Sequence, residues 1–170
     1  MPTTWNWFTF WLILHILTVI IAFGPTFAFG LIGAQIAKSP QNAHFGAHLI
    51  DMIEGKMTIP LALTLPISGI GLIVTSGLVF FQSKWLLISL VLFVFALLYA
   101  ILVQLPTSRK LLGALSKMPP GPPPEGATGP PPEVAALTKR LQMGGILLTA
   151  LVVVIVVLMI WRPGACVVSC

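Results

Sequence analysis

The sequence predicts an all-α integral membrane protein, a four-helix bundle, and three observations support this fold class. First, 57% of the 170 residues are hydrophobic and 8% are charged, with a mean hydropathy of +1.02, whereas soluble domains carry about 25% charged residues. Second, four long stretches contain no Asp, Glu, Lys or Arg. Third, the basic residues lie between these stretches or flank them. Lipid is therefore expected to be the main solvent of this chain.

The four apolar stretches cover residues 7–29, 57–81, 85–105 and 143–161, and a helix of about 20 residues crosses a bilayer core. We expect one transmembrane domain over residues 1–170. Three residues separate the second and third spans, so these helices are expected to be antiparallel neighbours. The fourth span is rich in Leu, Val and Ile and is expected on the outside of the bundle. The first span lacks the basic start of a signal peptide and is expected to be retained.

The distribution of basic residues predicts the topology. Four spans place the first and third connections on one side, which carries seven basic residues against two on the other, so this side is expected to be cytoplasmic and both termini extracytoplasmic. The five tryptophans all fall near span ends on the opposite side, where indole prefers the interface. The basic residues form no stripe with interleaved aromatic residues, so nucleic acid is not an expected partner.

The two long connections have different compositions. Residues 39–55 predict a short amphipathic helix, capped by Ser39 and closed by Gly55, that lies flat at the cytoplasmic interface. Residues 119–132 contain eight prolines in fourteen positions, which favours a semi-rigid linker; a partner with an aromatic groove is the alternative. We expect the third helix to continue past Pro106 to Lys117, and the fourth to begin near Glu133.

Two strips of small residues predict how the first two spans pack, because small residues and polar contacts decide helix interfaces in lipid. We expect the strips to face each other. We also expect Pro25, Pro60 and Pro66 to bend or loosen their helices. The strips are Thr18, Ala22, Thr26 and Gly30 on the first span, and Thr64, Ser68, Gly71 and Thr75 on the second.

His15, Tyr99 and Gln104 are the larger polar side chains within or near the spans. An ionisable residue in the membrane is a candidate functional site, and His15 suggests either a ligand of haem b iron or a neutral imidazole hydrogen-bonded between helices. No other cofactor is expected.

Two further groups of residues suggest sites outside the spans. His44, His48 and Asp51 share one helical face at a spacing that can hold a divalent metal, although a solvated polar face carries the same residues. Cys166 and Cys170 lie four residues apart in the C-terminal tail, where a disulfide or two free thiols are both compatible with the sequence.

Several short motifs resemble a known family. They are LHIL at 14–17, AFGPTF at 22–27, IP at 59–60, PISG at 66–69, WL at 85–86 and LMIWRP at 158–163. The chain resembles the bacterial predicted integral membrane proteins of domain-of-unknown-function family 2269 over most of its length. The Pro-rich connection and the cysteine tail depart from that pattern. The resemblance implies a compact four-helix membrane fold in a prokaryotic inner membrane and implies no activity.

The chain lacks a phosphate-binding loop, a nucleophile–base pair and a line of charged residues through the spans. We therefore expect no enzyme and no ion-coupled pump. The leading hypothesis is a non-enzymatic accessory or structural subunit, whose partners are lipid and either other membrane subunits or a second copy. The alternatives are a haem-binding or redox accessory protein that uses His15, and a passive carrier for a small neutral solute.

Overall fold

Four long helices form the structure, a computed structural model that describes residues 6–38, 42–77, 80, 83–117 and 130–163. The described elements confirm the predicted all-α membrane fold, since each long helix contains a segment long and apolar enough to cross a bilayer. Two of the long helices each contain one π-helical turn, which divides them into two α-helical parts. The elements are α1 Trp7–Lys38, α2 Ala43–Ile53, a first π turn Glu54–Thr58, α3 Ile59–Ser76, α4 Lys84–Tyr99, a second π turn Ala100–Gln104, α5 Leu105–Ser116 and α6 Pro132–Trp161.

The described part of the predicted interfacial helix is helical from Ala43 but is not a separate element, which corrects that prediction. From Ala43 the helix continues through the first π turn into α3, and Gly55 lies inside it instead of closing it. The 34 residues of Ala43–Ser76 span roughly 51 Å at 1.5 Å per residue, against a bilayer core of roughly 30 Å. The amphipathic segment therefore extends the second span along its own axis instead of lying across it.

The ends of three helices can be compared with the predicted bounds. The third long helix passes Pro106 and ends at Ser116, and α6 begins at Pro132, as predicted. The second span ends earlier than predicted, at Ser76 instead of residue 81. Gly77 follows in the left-handed conformation with φ of 68°, which glycine adopts without steric cost and which commonly ends a helix.

Each π turn ends two residues before a proline. Pro60 follows the first π turn, and Pro106 follows the second. Proline removes one backbone donor, and its ring crowds the carbonyl four residues earlier. Those carbonyls belong to Lys56 and Leu102, which both lie in the middle of the widened turns. The π turns therefore accommodate the prolines without breaking the helices, whereas α1 and α3 remain α-helical around Pro25 and Pro66.

The helices pack as antiparallel pairs, and different pairs are in contact at the two ends of the bundle. We call the end with Trp7 and Trp161 the terminal end, and the end with Ala43 and Ser116 the loop end. α1 packs most extensively against α3, α4 packs against α6, and at the loop end α2 packs against α5. The predicted neighbours α3 and α4 make at most slight contact among their described residues. The second and third long helices therefore meet at the loop end.

α6 lies on the outside of the bundle, as predicted, with most of its apolar span exposed. It packs against α1, α4 and α5 and so joins the two halves of the bundle. At the terminal end its last turn reaches α4, where the Arg162 guanidinium lies 5.5 Å from the centre of the buried Trp85 ring. Its close approach to the third long helix occurs at Gly144, where a side chain would overlap Gln104.

Candidate functional sites

A hydrogen bond to α3 fixes His15, the only ionisable side chain of α1 between Trp7 and Gly33. His15 Nδ1 lies 2.8 Å from Ser68 Oγ, and that hydroxyl is 3.0 Å from the Leu65 carbonyl. Ser68 is buried, so its bond with the imidazole satisfies two polar groups inside an apolar interface. This is the interhelical hydrogen bond that the sequence suggested as the alternative to haem ligation. Haem binding by His15 and transport of a neutral solute remain predictions.

One turn towards the terminal end, the same interface is held by a close contact between an aromatic ring and a helix backbone. A Cβ atom on Gly71 would overlap the six-membered ring of Trp11. The indole therefore lies directly on the α3 backbone, an approach that only glycine permits. Trp11 in turn meets the Phe10 ring edge to face at 5.4 Å between centroids.

The structure brings together part of the two predicted small-residue strips. Ala22 is fully buried, and Ser68 and Gly71 lie against α1. Gly30 and Thr64 are exposed and lie off the interface. Residues spaced by four drift roughly 40° around an α-helix at each step, so a strip with strict four-residue spacing turns away from its partner. The contacting face of the second long helix instead follows Thr58, Ala62, Leu65 and Ser68, which are all buried.

The threonines of the strips do not bond across the helices. Each hydroxyl donates to a carbonyl one turn earlier on its own helix, with oxygen–oxygen distances of 2.6 to 2.8 Å. Such local bonds satisfy the hydroxyl donor within its own helix, so it needs no partner on another helix. The residues with these bonds are Thr18, Thr26, Thr64 and Thr75.

The predicted metal ligands are not brought together. His44 and His48 are exposed on α2, and Asp51 turns towards α5, where its Oδ1 lies 3.9 Å from Arg109 Nε. Within the residues that the structure describes, no three His, Cys, Asp or Glu side chains converge in a metal-binding arrangement. The reason is that the polar face of α2 is divided between open solvent and the contact with α5.

A group of polar residues at the loop end was missed by the sequence reasoning. We call Asp51, Glu54, Thr58 and Arg109 the loop-end polar cluster. Glu54 and Thr58 belong to the first π turn and are 5% and 7% exposed. The i, i+3 and i+7 spacing of the three residues on the second long helix is the sequence signal for this cluster. Of these residues, the sequence reasoning placed only Asp51 on the polar face of a flat helix, whereas α2 continues into the second span and turns Asp51 towards α5.

The second π turn places Gln104 in the contact with α6. Its Nε2 donates to the Leu141 carbonyl at 3.1 Å. A Cβ atom on Gly144 would overlap Gln104 Oε1 and would lie 2.9 Å from the Tyr99 hydroxyl oxygen. Tyr99 and Gln104, both noted in the sequence, therefore meet at one glycine, where Gln104 is buried.

Other predicted features fall outside the described residues. They are the predicted helix cap Ser39, the possible disulfide between Cys166 and Cys170, and residues 119–129 of the Pro-rich linker 119–132.

The four apolar helices and their buried polar contacts define an integral membrane protein. More specifically, the chain belongs to the family described as predicted integral membrane protein (DUF2269), whose model matches residues 9–163. The match confirms the family resemblance of the sequence motifs. No curated protein and no solved structure matched the chain.

Proposed function

We propose that the chain is a non-enzymatic membrane subunit that assembles with a second copy of itself through α1. The observation that supports this function is an uncovered glycine surface around Gly24 on α1. Gly24 has open space where a side chain would stand, although α1 is a membrane-crossing helix. Glycine costs a helix about 1 kcal/mol relative to alanine, and in membranes it is favoured where a second helix comes close.

An apolar groove beside Gly24 gives this surface a shape that fits a helix. The groove has a volume of about 320 Å³ and runs between α1 and α6. Gly24 and the exposed Ala28 are four residues apart, the spacing at which small residues let two helices cross closely. Because the same α1 face is present on every copy, two copies related by a two-fold axis would present matching surfaces. The groove is lined by Val19, Ile20, Phe23, Gly24, Phe27, Val152, Val153, Val156 and Val157.

We further propose that the protein resides in a prokaryotic inner membrane with both termini extracytoplasmic. The seven basic residues of the first and third connections support this orientation through the positive-inside rule. In the fold, these residues belong to the loop end, whereas Lys84 and Arg162 belong to the terminal end. The loop end would then face the cytoplasm.

Replacing Gly24 by leucine is expected to weaken self-association at least tenfold without changing the fold of one copy. The leucine enters open space within a single copy but occupies the position of the second helix. The measurement is the monomer–dimer equilibrium of purified protein in detergent and in bilayers, followed by light scattering and by energy transfer between labelled copies.

Val91→Phe is the matched control, because it adds bulk to an exposed position on α4, away from the glycine surface. It should leave the equilibrium unchanged. A wild-type protein that is monomeric in bilayers, or a Gly24→Leu variant that associates like the wild type, would contradict the proposal. If a different protein copurifies with the wild type and not with Gly24→Leu, the partner at this surface is that protein and not a second copy of the chain.

A further inference from the structure

The loop-end polar cluster holds more negative charge than its surroundings balance. Asp51 lies one turn before Glu54 on the same helix, and two carboxylates so placed repel each other. Arg109 approaches Asp51 at 3.9 Å, but its side chain is 66% exposed, so it is largely solvated and offsets little of the charge. Glu54 is 5% exposed. A carboxylate so enclosed needs a positive partner or a proton.

The described side chains packed around Glu54 supply no second cation, and Lys110 on α5 is exposed. On its own helix, His44, His48 and Lys56 are exposed. α3 has no charged residue, and between Trp7 and Gly33 the ionisable side chain on α1 is His15, which is bonded to Ser68 nearer the terminal end. From α5, Arg109 reaches Asp51. The charge of Glu54 is therefore unbalanced by the described side chains around it.

Two oxygen atoms of the cluster are enclosed and have no hydrogen-bond partner. They are Thr58 Oγ1 and Asp51 Oδ1. Buried polar atoms are nearly always paired, and an unpaired one indicates a strained site or an unseen ion or water. Thr58 is 7% exposed and lies one turn after Glu54 on the same buried face. Glu54 follows Asp51 by three residues and precedes Thr58 by four on one helical face, and carboxylate and hydroxyl oxygens without hydrogen-bond partners are donors that hard cations prefer.

We propose that the loop-end polar cluster binds a small cation, Na⁺ or a proton, on the Glu54 carboxylate. In the Na⁺ case, Asp51 Oδ1 and Thr58 Oγ1 contribute ligands beside Glu54. In the proton case, Glu54 alone carries the ligand, and Thr58 is not needed. Both cases neutralise the same carboxylate, and neither depends on self-association through α1.

The experiment compares the thermal stability of the purified protein in NaCl and in choline chloride at equal ionic strength, at pH 8 and at pH 6. For a Na⁺ site, Na⁺ at ten times its Kd is expected to raise the Tm at pH 8 by about 3–5 °C. Glu54→Gln should abolish this rise, because the neutral amide mimics the occupied site, and Thr58→Val should reduce it. Glu133→Gln, which changes an exposed carboxylate at the start of α6, should respond like the wild type.

For a proton site, Na⁺ has no effect and the lower pH raises the Tm of the wild type relative to Glu54→Gln, while Thr58→Val behaves like the wild type. The sign follows from linkage, because a proton bound more tightly by the folded state stabilises it as pH falls. The proposal is overturned if Glu54→Gln responds to Na⁺ and pH as the wild type does, or if the wild type responds to neither.

Discussion

Replacing Gly71 by alanine is expected to lower the free energy of unfolding by about 2 kcal/mol. The new methyl group would overlap the fused ring of Trp11, so either the indole must turn away or α1 and α3 must separate. Overpacking of this kind costs roughly 1–3 kcal/mol. Alanine also stabilises the helix by about 1 kcal/mol relative to glycine. A net loss of about 2 kcal/mol therefore corresponds to an overpacking cost of about 3 kcal/mol, the upper end of that range. Unfolding by SDS in mixed micelles measures the change.

Gly69→Ala is the matched control on the same helix. A Cβ atom there lies 3.9 Å from His15 Cε1, an ordinary contact, so this variant should be neutral or more stable by up to about 1 kcal/mol. Combining Gly71→Ala with Trp11→Leu should cost less than the sum of the two single changes, because both act on one contact. Equal stabilities of the two alanine variants would contradict the close approach of Trp11 to α3.

Replacing Gly144 by alanine is expected to destabilise the α4–α6 pair, also by about 2 kcal/mol. The methyl group would overlap Gln104 Oε1 and would lie 2.9 Å from the Tyr99 hydroxyl oxygen. If Gln104 turns away, its bond to the Leu141 carbonyl is lost, and such bonds in membrane proteins average about 0.6 kcal/mol. The tyrosine contact adds an overpacking cost of roughly 1–3 kcal/mol, of which the higher helix propensity of alanine offsets about 1 kcal/mol. The same SDS titration measures this variant.

Gly145→Ala provides the control, since it makes the same chemical change one residue later. The nearest atom is Gln104 Nε2 at 4.0 Å, so the alanine fits without displacing a neighbour. We expect a change between zero and a gain of about 1 kcal/mol. If Gly144→Ala were as stable as Gly145→Ala, Gln104 and Tyr99 would not enclose this glycine in solution.

The apolar stretches were sufficient to predict the long helices, because a segment without charges in lipid must satisfy its own backbone hydrogen bonds. The start of α6 could also be predicted, since Pro132 lacks only a donor that the first turn does not need. The continuation of α2 into α3 could not be predicted from the sequence. Gly55 is typical of a helix end, but a glycine also fits inside a helix, and here it belongs to the π turn that precedes Pro60.

The polar sites were harder to predict than the helices. His15 could be identified because it is the one ionisable side chain in its span, and its partner Ser68 belonged to a predicted strip. Glu54 could not be identified, since it stands among other polar residues of a connection and the sequence does not say which face α2 turns inward. The direction of that face depends on the packing of α2 against α5, which is a property of the tertiary fold.

Chemical labelling of single cysteines in whole cells tests the central claim, that lipid surrounds the four helices and the loop end faces the cytoplasm. Cys166 and Cys170 are first replaced by serine, and a cysteine is introduced at Lys84, Lys117 or Val153. A membrane-impermeant thiol reagent should label position 84 in intact cells, position 117 only after the inner membrane is opened, and position 153 in neither case. Labelling of position 117 in intact cells, or equal labelling of position 153 and position 84, would contradict this account.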